Sequence, residues 1–272
     1  MRGKLLLLSN STNPEQPFLE HAREWIDLFF KNAQKILYIP YALVNPREYD
    51  EHTEKTALFF HSLGIEVVSI HQCEAKGPIF DTVDGIFVNG GNTFQLLQRL
   101  QQEGLLEIIQ EKVKNGLPYL GSSAGTTICG PSIKTTNDMP VVEVASFNAL
   151  NLTGFQITAL PPYPPHLSET RDERINEFHA VNDTEVIGLR EGSALHVHNE
   201  VMTVLGPHCA RQFRKGQPTR ELSPGSYLYA PFEMHNKNTE KLKAPGQFSM
   251  MEERRRHDSP DIEPNHLHLT PG

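Results

Sequence analysis

Residues 117–130 read LPYLGSSAGTTICG, an apolar run that ends in a Gly-Ser-Ser-Ala-Gly turn followed by small residues. A strand that enters a helix through such a turn needs small residues around the central serine, because the backbone segments come close together. Gly121, Ala124 and Gly125 meet that requirement around Ser123. On these five residues alone, a nucleophilic serine exposed above a β-sheet and an ordinary strand-to-helix turn of the same composition are about equally expected.

The sequence on either side of this turn alternates short apolar runs with helical patterns. The runs KLLLLS, ILYIPYA, EVVSIH, DGIFVNGG and EVIGL have the length of strands, and helical patterns cover 18–31, 47–63 and 93–110. Strands separated by single helices predict a three-layer α/β fold, in which helices cover both faces of a mostly parallel sheet. The segments SALHVHNEVMTVLG, CARQFRKG and GSYLYAP then predict antiparallel C-terminal β-hairpins.

The composition divides the chain into two parts. Residues 1–233 carry the strand and helix patterns and form the predicted α/β domain, whereas residues 234–272 are polar, charged and rich in proline and histidine. A segment of this kind cannot bury enough apolar surface to fold, so we predict a disordered tail there.

Composition also limits the classes of partner. The 33 acidic and 25 basic residues give a formal net charge of -8, which disfavours a nucleic-acid partner. The 3 cysteines lack metal-ligand spacing, which indicates a reducing compartment and no metal site. No apolar run approaches the ~20 residues of a membrane span. We therefore predict a cytoplasmic protein that acts on a small molecule or peptide, and its oligomeric state stays open.

A second strand end carries residues suited to the same site. Ligands of such sheets bind at the C-terminal ends of the strands, so NGGNT after the fourth strand is expected near GSSAG. Gly90 or Gly91 can turn a backbone N–H toward the serine, since neither has a Cβ. The spacing of these glycines matches neither a dinucleotide fingerprint nor a phosphate loop, so no nucleotide cofactor is predicted. Asp138, in TTNDMP, is a candidate acid or a turn-forming residue.

Together the motifs NGGNTFQLL, GSSAG, TTNDMP, FQI, ETRDERI and GLREG resemble peptidase E, the α-aspartyl dipeptidases of serine peptidase family S51. The resemblance runs from about residue 4 to residue 229. It implies a flavodoxin-like or class-I glutamine-amidotransferase-like sheet that carries a Ser-His-Asp triad. It also implies the hydrolysis of dipeptides with an N-terminal aspartate, without a cofactor.

Residue by residue, the resemblance implies Ser123 as the nucleophile and Asp138 as the triad acid. It implies that the backbone N–H groups of Gly91 and Ala124 stabilise the oxyanion. Arg171, in ETRDERI, matches the arginine that holds the aspartate carboxylate of the substrate. A planar guanidinium suits this role because it can bind a carboxylate through two hydrogen bonds.

The triad histidine is where this chain departs from the family pattern. Peptidase E has FQINPH, whereas this chain has FQITAL and therefore Leu160 at the histidine position. We predict that His166, from the shortened proline-rich segment, supplies the base instead. The alternative is a homologue that has lost its base and hydrolyses peptides weakly or only binds them.

Other histidines offer further candidate bases, namely His179, His196, His198 and His208. His196 and His198 alternate along one strand face, but no third ligand is spaced to complete a metal site, so solvated strand histidines are favoured. An ordinary α/β-hydrolase fits less well, because its acid and histidine would fall later in the chain than TTNDMP and PPH.

Overall fold

The computed structural model describes residues 3–160, 166–199 and 201–229, with the main chain alone for residues 166–170 and 229. The elements up to the serine motif are β1 (Lys4–Leu8), α1 (Arg23–Phe29), β2 (Lys35–Ile39), α2 (Tyr49–His61), β3 (Glu66–Ser69), β4 (Ile86–Val88), α3 (Thr93–Gln102), α4 (Leu105–Lys114), β5 (Tyr119–Ser122) and α5 (Ala124–Thr127). The elements that follow are β6 (Gln156–Leu160), α6 (His166–Val181), β7 (Val186–Arg190), β8 (Ala194–His198), β9 (Val201–Leu205), β10 (Ala210–Phe213), β11 (Arg220–Leu222) and β12 (Tyr227–Tyr229).

The larger sheet contains 8 strands in the order β12-β9-β8-β1-β5-β4-β2-β3. The pairs formed among β1, β2, β3, β4 and β5 are all parallel. The strands β8, β9 and β12 extend the sheet through antiparallel pairs. The predicted α/β fold, with a mostly parallel sheet and C-terminal β-hairpins, is therefore confirmed.

A second sheet departs from the prediction. It contains 4 strands in the order β11-β10-β7-β6, and β6 and β7 run parallel. The prediction that EVIGL belongs to the main sheet is wrong, because Val186–Arg190 pairs with β6 and β10 instead. Apolar periodicity identifies a strand but does not specify its partner.

Two predicted helices also differ from the structure. The pattern over 93–110 is divided between α3 and α4, because Gly104 adopts a left-handed backbone with φ of 64° at the start of α4. The pattern over 18–31 is a 3-10 turn at Glu20–Ala22 followed by α1.

Apolar clusters cover both faces of the main sheet. Leu5 and Leu7 of β1 pack in the cluster that includes residues of α3, α4 and α5. Leu6 and Leu8 pack in the cluster on the other face, with residues of α1 and α2. Because helices cover both faces, the strand ends are where a ligand can reach the sheet.

None of the helices in the described part of the chain combines the length and the apolar character that a membrane span requires. The predicted tail, residues 234–272, lies outside the described residues. The division into a domain at 1–233 and a tail therefore stays a prediction.

Candidate active site

Ser123 occupies the sharp turn between β5 and α5. Its φ of 52° and ψ of -109° are strained for a residue with a Cβ. Its N–H donates to the Leu8 carbonyl on the neighbouring β1 at 3.1 Å, and its carbonyl accepts from the N–H groups of Thr126 and Thr127 at 2.9 Å. Hydrogen bonds on both sides of the residue thus hold the turn in place.

Small residues around Ser123 allow this turn to form. A Cβ on Gly121 would lie 2.4 Å from the Gly125 carbonyl oxygen, and a Cβ on Gly125 would lie 2.1 Å from the Val88 carbonyl oxygen. Both distances are far shorter than a van der Waals contact. The two outer glycines of G-x-S-x-G are therefore required by the close approach of α5 to β4 and β5.

The two serines of the motif point to different faces of the sheet. Leu120 packs in the cluster with α1 and α2, and strand alternation places Ser122 on that same face. Ser122 is fully buried, and its hydroxyl has no partner among the described residues. Ala124 packs in the opposite cluster, and Ser123 beside it is only partly buried.

The loop after β4 lies against Ser123. A Cβ on Gly90 would lie 2.9 Å from the Ser123 Cβ and 3.6 Å from its Oγ. Gly91 has a φ of 144°, and a Cβ there would lie 2.3 Å from the Ala42 carbonyl oxygen. Within the described residues, the N–H groups of Gly91 and Ala124 donate to no protein acceptor. Both groups are therefore available to bind an oxyanion.

Asp138 is bound to the first residue of α3. Its Oδ2 accepts a hydrogen bond from the Thr93 N–H at 2.7 Å and one from the Thr93 hydroxyl at 2.5 Å. The Thr136 hydroxyl donates to Thr93 Oγ1 at 3.1 Å, so the Thr93 hydroxyl both accepts and donates. Asp138 is thus fixed at a helix N-terminus, where the helix dipole stabilises negative charge.

The loops on either side of this contact are joined by a further bond. The Asn92 side-chain amide donates to the Met139 carbonyl at 2.8 Å, while its Oδ1 caps α3. The loop that carries Gly91 and the loop that carries Asp138 therefore form one hydrogen-bonded unit. Thr93 and Asn92 could not be recognised from the sequence as members of the site, because nothing local to NGGNT shows that it contacts TTNDMP.

Arg171 lines a cavity of about 450 Å³ formed by residues 134–137, β6 and α6. The charged residues of its lining are Lys134, Arg171, Arg174 and Glu177, so positive charge exceeds negative charge there. This excess is notable in a chain with a net charge of -8. Ser123 is not among the described lining residues, so the two features are not joined by this cavity.

One nitrogen of the Arg171 guanidinium lacks a partner among the described residues. Its Nη1 is buried and donates to no acceptor in that part of the chain. Burial lowers the pKa of Arg171, repulsion from Arg174 lowers it further, and attraction from Asp138 opposes both. Arg174 itself donates to the Asn137 Oδ1 at 3.3 Å. A partly buried cation, one nitrogen of which has no acceptor among the described residues, favours an anionic ligand in this cavity.

The described residues do not identify the base of the predicted triad. Leu160 is only 2% exposed, and it packs so closely on β7 that a Cβ on Gly188 would lie 2.6 Å from its Cδ1. His166 is the first residue of α6, but its side chain is not among those that the structure describes. Its contact with Ser123 or Asp138 stays a prediction.

The other candidate bases have surroundings of their own. His179 is buried, and its Nε2 lies 3.0 Å from the Thr184 carbonyl oxygen.

His196 pairs with Leu6 within the sheet and packs edge-on against Phe29, with ring centroids 6.1 Å apart. Burial first, then the charges of His198 and Lys4, lower its pKa to about 4. His196 is thus only partly exposed to solvent, because Phe29 of α1 packs against that face of β8.

Main-chain contacts show where the remaining two candidate bases, His198 and His208, lie in the fold. His198 pairs with Lys4, at the end of β1 away from Ser123. The His208 carbonyl accepts from the Ser193 hydroxyl at 3.0 Å. No cluster of three metal-ligating side chains occurs in the described part of the chain.

Comparison with known proteins identifies the family. The chain matches the model of peptidase family S51 over residues 5–205. The chain belongs to this family. It is 43% identical over 228 residues to Peptidase E of Streptomyces coelicolor, and the aligned region covers 82% of this chain and 93% of that protein. It is 42% identical over 229 residues to the probable alpha-aspartyl dipeptidase of Drosophila melanogaster, and the aligned region covers 81% of this chain and 93% of that protein.

A solved structure supports the fold of this S51 peptidase. The crystal structure of a peptidase from an acI-B1 Actinobacterium has a TM-score of 0.64 at 17% identity, over 84% of this chain and 97% of that chain. This similarity concerns the fold alone. The resemblance to family S51 noted in the sequence is confirmed by the family match and by the relatives.

Proposed function

We propose that this S51 peptidase hydrolyses dipeptides with an N-terminal aspartate and uses Ser123 as its nucleophile. Family membership and the names of its relatives support the reaction class. The observation that carries the assignment of the nucleophile is the strained Ser123 turn. Beside it, the N–H groups of Gly91 and Ala124 have no acceptor among the described residues.

The reaction follows the order of acyl transfer to a serine. The Ser123 Oγ attacks the scissile carbonyl carbon while a base takes the hydroxyl proton, and the N–H groups of Gly91 and Ala124 stabilise the resulting oxyanion. The intermediate then expels the amine of the second residue, which takes the proton from the base. Water, activated by the same base, hydrolyses the acyl-enzyme and releases aspartate.

We assign the base to His166 and the acid to Asp138. The bonds from Thr93 to Asp138 both go to Oδ2, which leaves Oδ1 to accept from an imidazole N–H. Five residues, 161–165, lie between Leu160 and His166, so the two positions are close in sequence. A triad is defined by its geometry and roles rather than by sequence position, so a displaced histidine is chemically acceptable.

We assign the substrate aspartate side chain to Arg171, with Arg174 and Lys134 adding positive charge. The Nη1 of Arg171, which has no acceptor in the described part of the chain, supports this role, because a bound carboxylate would satisfy it. Losing one partner of a buried charged pair costs on the order of 2–5 kcal/mol, so a neutral side chain in place of the carboxylate should be strongly disfavoured.

A panel of four peptides tests this proposal: Asp-Leu, Asn-Leu, Glu-Leu and acetyl-Asp-Leu. We expect measurable cleavage of Asp-Leu and poor cleavage of the other three. Arg171→Gln should lower kcat/KM for Asp-Leu by more than about tenfold, whereas Arg220→Gln, an exposed arginine on β11, should not. Equal rates on Asp-Leu and Asn-Leu would contradict the assigned specificity.

The location and the cofactor requirement are also proposals. The cysteines Cys73, Cys129 and Cys209 are all free, which supports a reducing compartment such as the cytoplasm. The serine mechanism above needs no cofactor.

A further inference from the structure

The contact between Thr93 and Asp138 joins two segments that are 45 residues apart in sequence. Thr93 is 1% exposed, so its hydroxyl has no access to water as an alternative partner. Because the hydroxyl accepts from Thr136 at 3.1 Å, its single proton is directed at the Asp138 Oδ2, 2.5 Å away. The direction of the hydrogen bonds from Thr136 through Thr93 to Asp138 is therefore fixed.

The same contact also connects Asp138 to the loop after β4 that carries Gly90 and Gly91, which we call the glycine loop. Thr93 follows Gly91 and Asn92 directly, and the Asn92 side chain holds the Met139 carbonyl beside Asp138. The Asn92 N–H donates to the Ala42 carbonyl at 2.8 Å, and Gly91 packs against that same carbonyl. A shift of the acid would thus be transmitted to the residue that we assign to the oxyanion site.

We propose that Thr93 is a positioning residue, which fixes the Asp138 carboxylate relative to Gly91 and Ser123. The Thr93 hydroxyl and N–H occupy Oδ2, so that Oδ1 is presented to the base in one orientation. The catalytic consequence rests on the proposed function, since it assumes that Asp138 serves as the triad acid. The two hydrogen bonds from Thr93 to Asp138 do not depend on that assumption.

A purely structural role is the competing explanation, in which Asp138 only stabilises the N-terminus of α3. Such a role would affect the unfolding free energy but would leave the turnover of folded enzyme unchanged. The two explanations therefore differ in kcat, measured well below the melting temperature, rather than in stability.

The test compares Thr93→Val with Thr93→Ser. Valine keeps the shape and the backbone N–H bond but removes the hydroxyl, whereas serine keeps the hydroxyl. We expect Thr93→Val to lower kcat for Asp-Leu by about tenfold or more, with KM within about twofold, because a hydrogen bond to a charged group is lost. Thr93→Ser should stay within about threefold of the wild type. A Thr93→Val enzyme that is folded and retains the wild-type kcat would overturn the positioning role.

A double-mutant cycle between Thr93→Val and Asp138→Asn provides a readout that needs no catalysis. Unfolding by urea should show that the two substitutions are not additive, since they disrupt the same contact. Additive effects would overturn the inference even if the enzyme is active. If the wild type cleaves no aspartyl dipeptide but the cycle shows coupling, the proposed function fails while the hold of Thr93 on Asp138 is supported.

Discussion

Adding one methyl group at Gly90 tests the close approach of the glycine loop to Ser123. The Cβ of Gly90→Ala would lie 2.9 Å from the Ser123 Cβ, whereas carbon atoms in contact are separated by ~3.5–4.0 Å. The serine or the loop must therefore move by roughly 0.6–1.1 Å. A displacement of about 1 Å at a reacting group costs on the order of 10²-fold in rate, so kcat/KM for Asp-Leu should fall by about that factor.

The matched control for this experiment is Gly77→Ala. Gly77 has a φ of -66°, which any residue adopts, and a Cβ there would meet only the Ile108 Cδ1, at 3.9 Å. Both variants should be compared by kcat/KM, by the rate at which a phosphonofluoridate labels Ser123, and by thermal unfolding. If Gly90→Ala is folded and matches Gly77→Ala in both rates, the glycine loop does not position the nucleophile.

Two further predictions concern histidines. If His166 is the base, His166→Ala should lower the rate by several orders of magnitude and flatten a pH profile that otherwise rises at about pH 6.5. If the base has been lost, His166→Ala should change the rate little, and Leu160→His should raise it. For His196, the folded pKa of about 4 is below the ordinary 6.5, so its stabilising contribution is complete above pH 6.5 and is lost as pH falls toward 4. Urea unfolding of wild type should therefore show a loss of roughly 1–3 kcal/mol over that window, and an equal loss in His196→Leu would show that another group is responsible.

The parts of the site that are local in sequence were predictable. The Ser123 turn depends on Gly121 and Gly125, and their spacing is visible in five residues, although the contact that requires Gly125 is with Val88 of β4. The parallel arrangement of β1 to β5 follows similarly from strands that alternate with helices. In both cases the pattern that indicates the feature lies within short segments of the sequence.

The parts that depend on distant contacts were not predictable. The bond between Thr93 and Asp138 joins loops 45 residues apart, and no pattern within either loop indicates the other. The assignment of β7 to a second sheet depends on its pairing with β6 and β10, which strand periodicity does not encode. The partial burial of His196 likewise depends on Phe29 of α1, which the alternation along β8 cannot reveal.

We propose that Ser123, and not the adjacent Ser122, attacks the substrate. The most direct measurement is the initial rate of Asp-Leu hydrolysis by wild type, Ser123→Ala and Ser122→Ala, with each variant shown to be folded by circular dichroism. Ser123→Ala should reduce the rate by several orders of magnitude, because it removes the nucleophile. Ser122→Ala should retain most of the activity, since its hydroxyl is buried on the other face of the sheet. A Ser123→Ala enzyme that cleaves Asp-Leu at the wild-type rate would show that Ser123 is not the nucleophile.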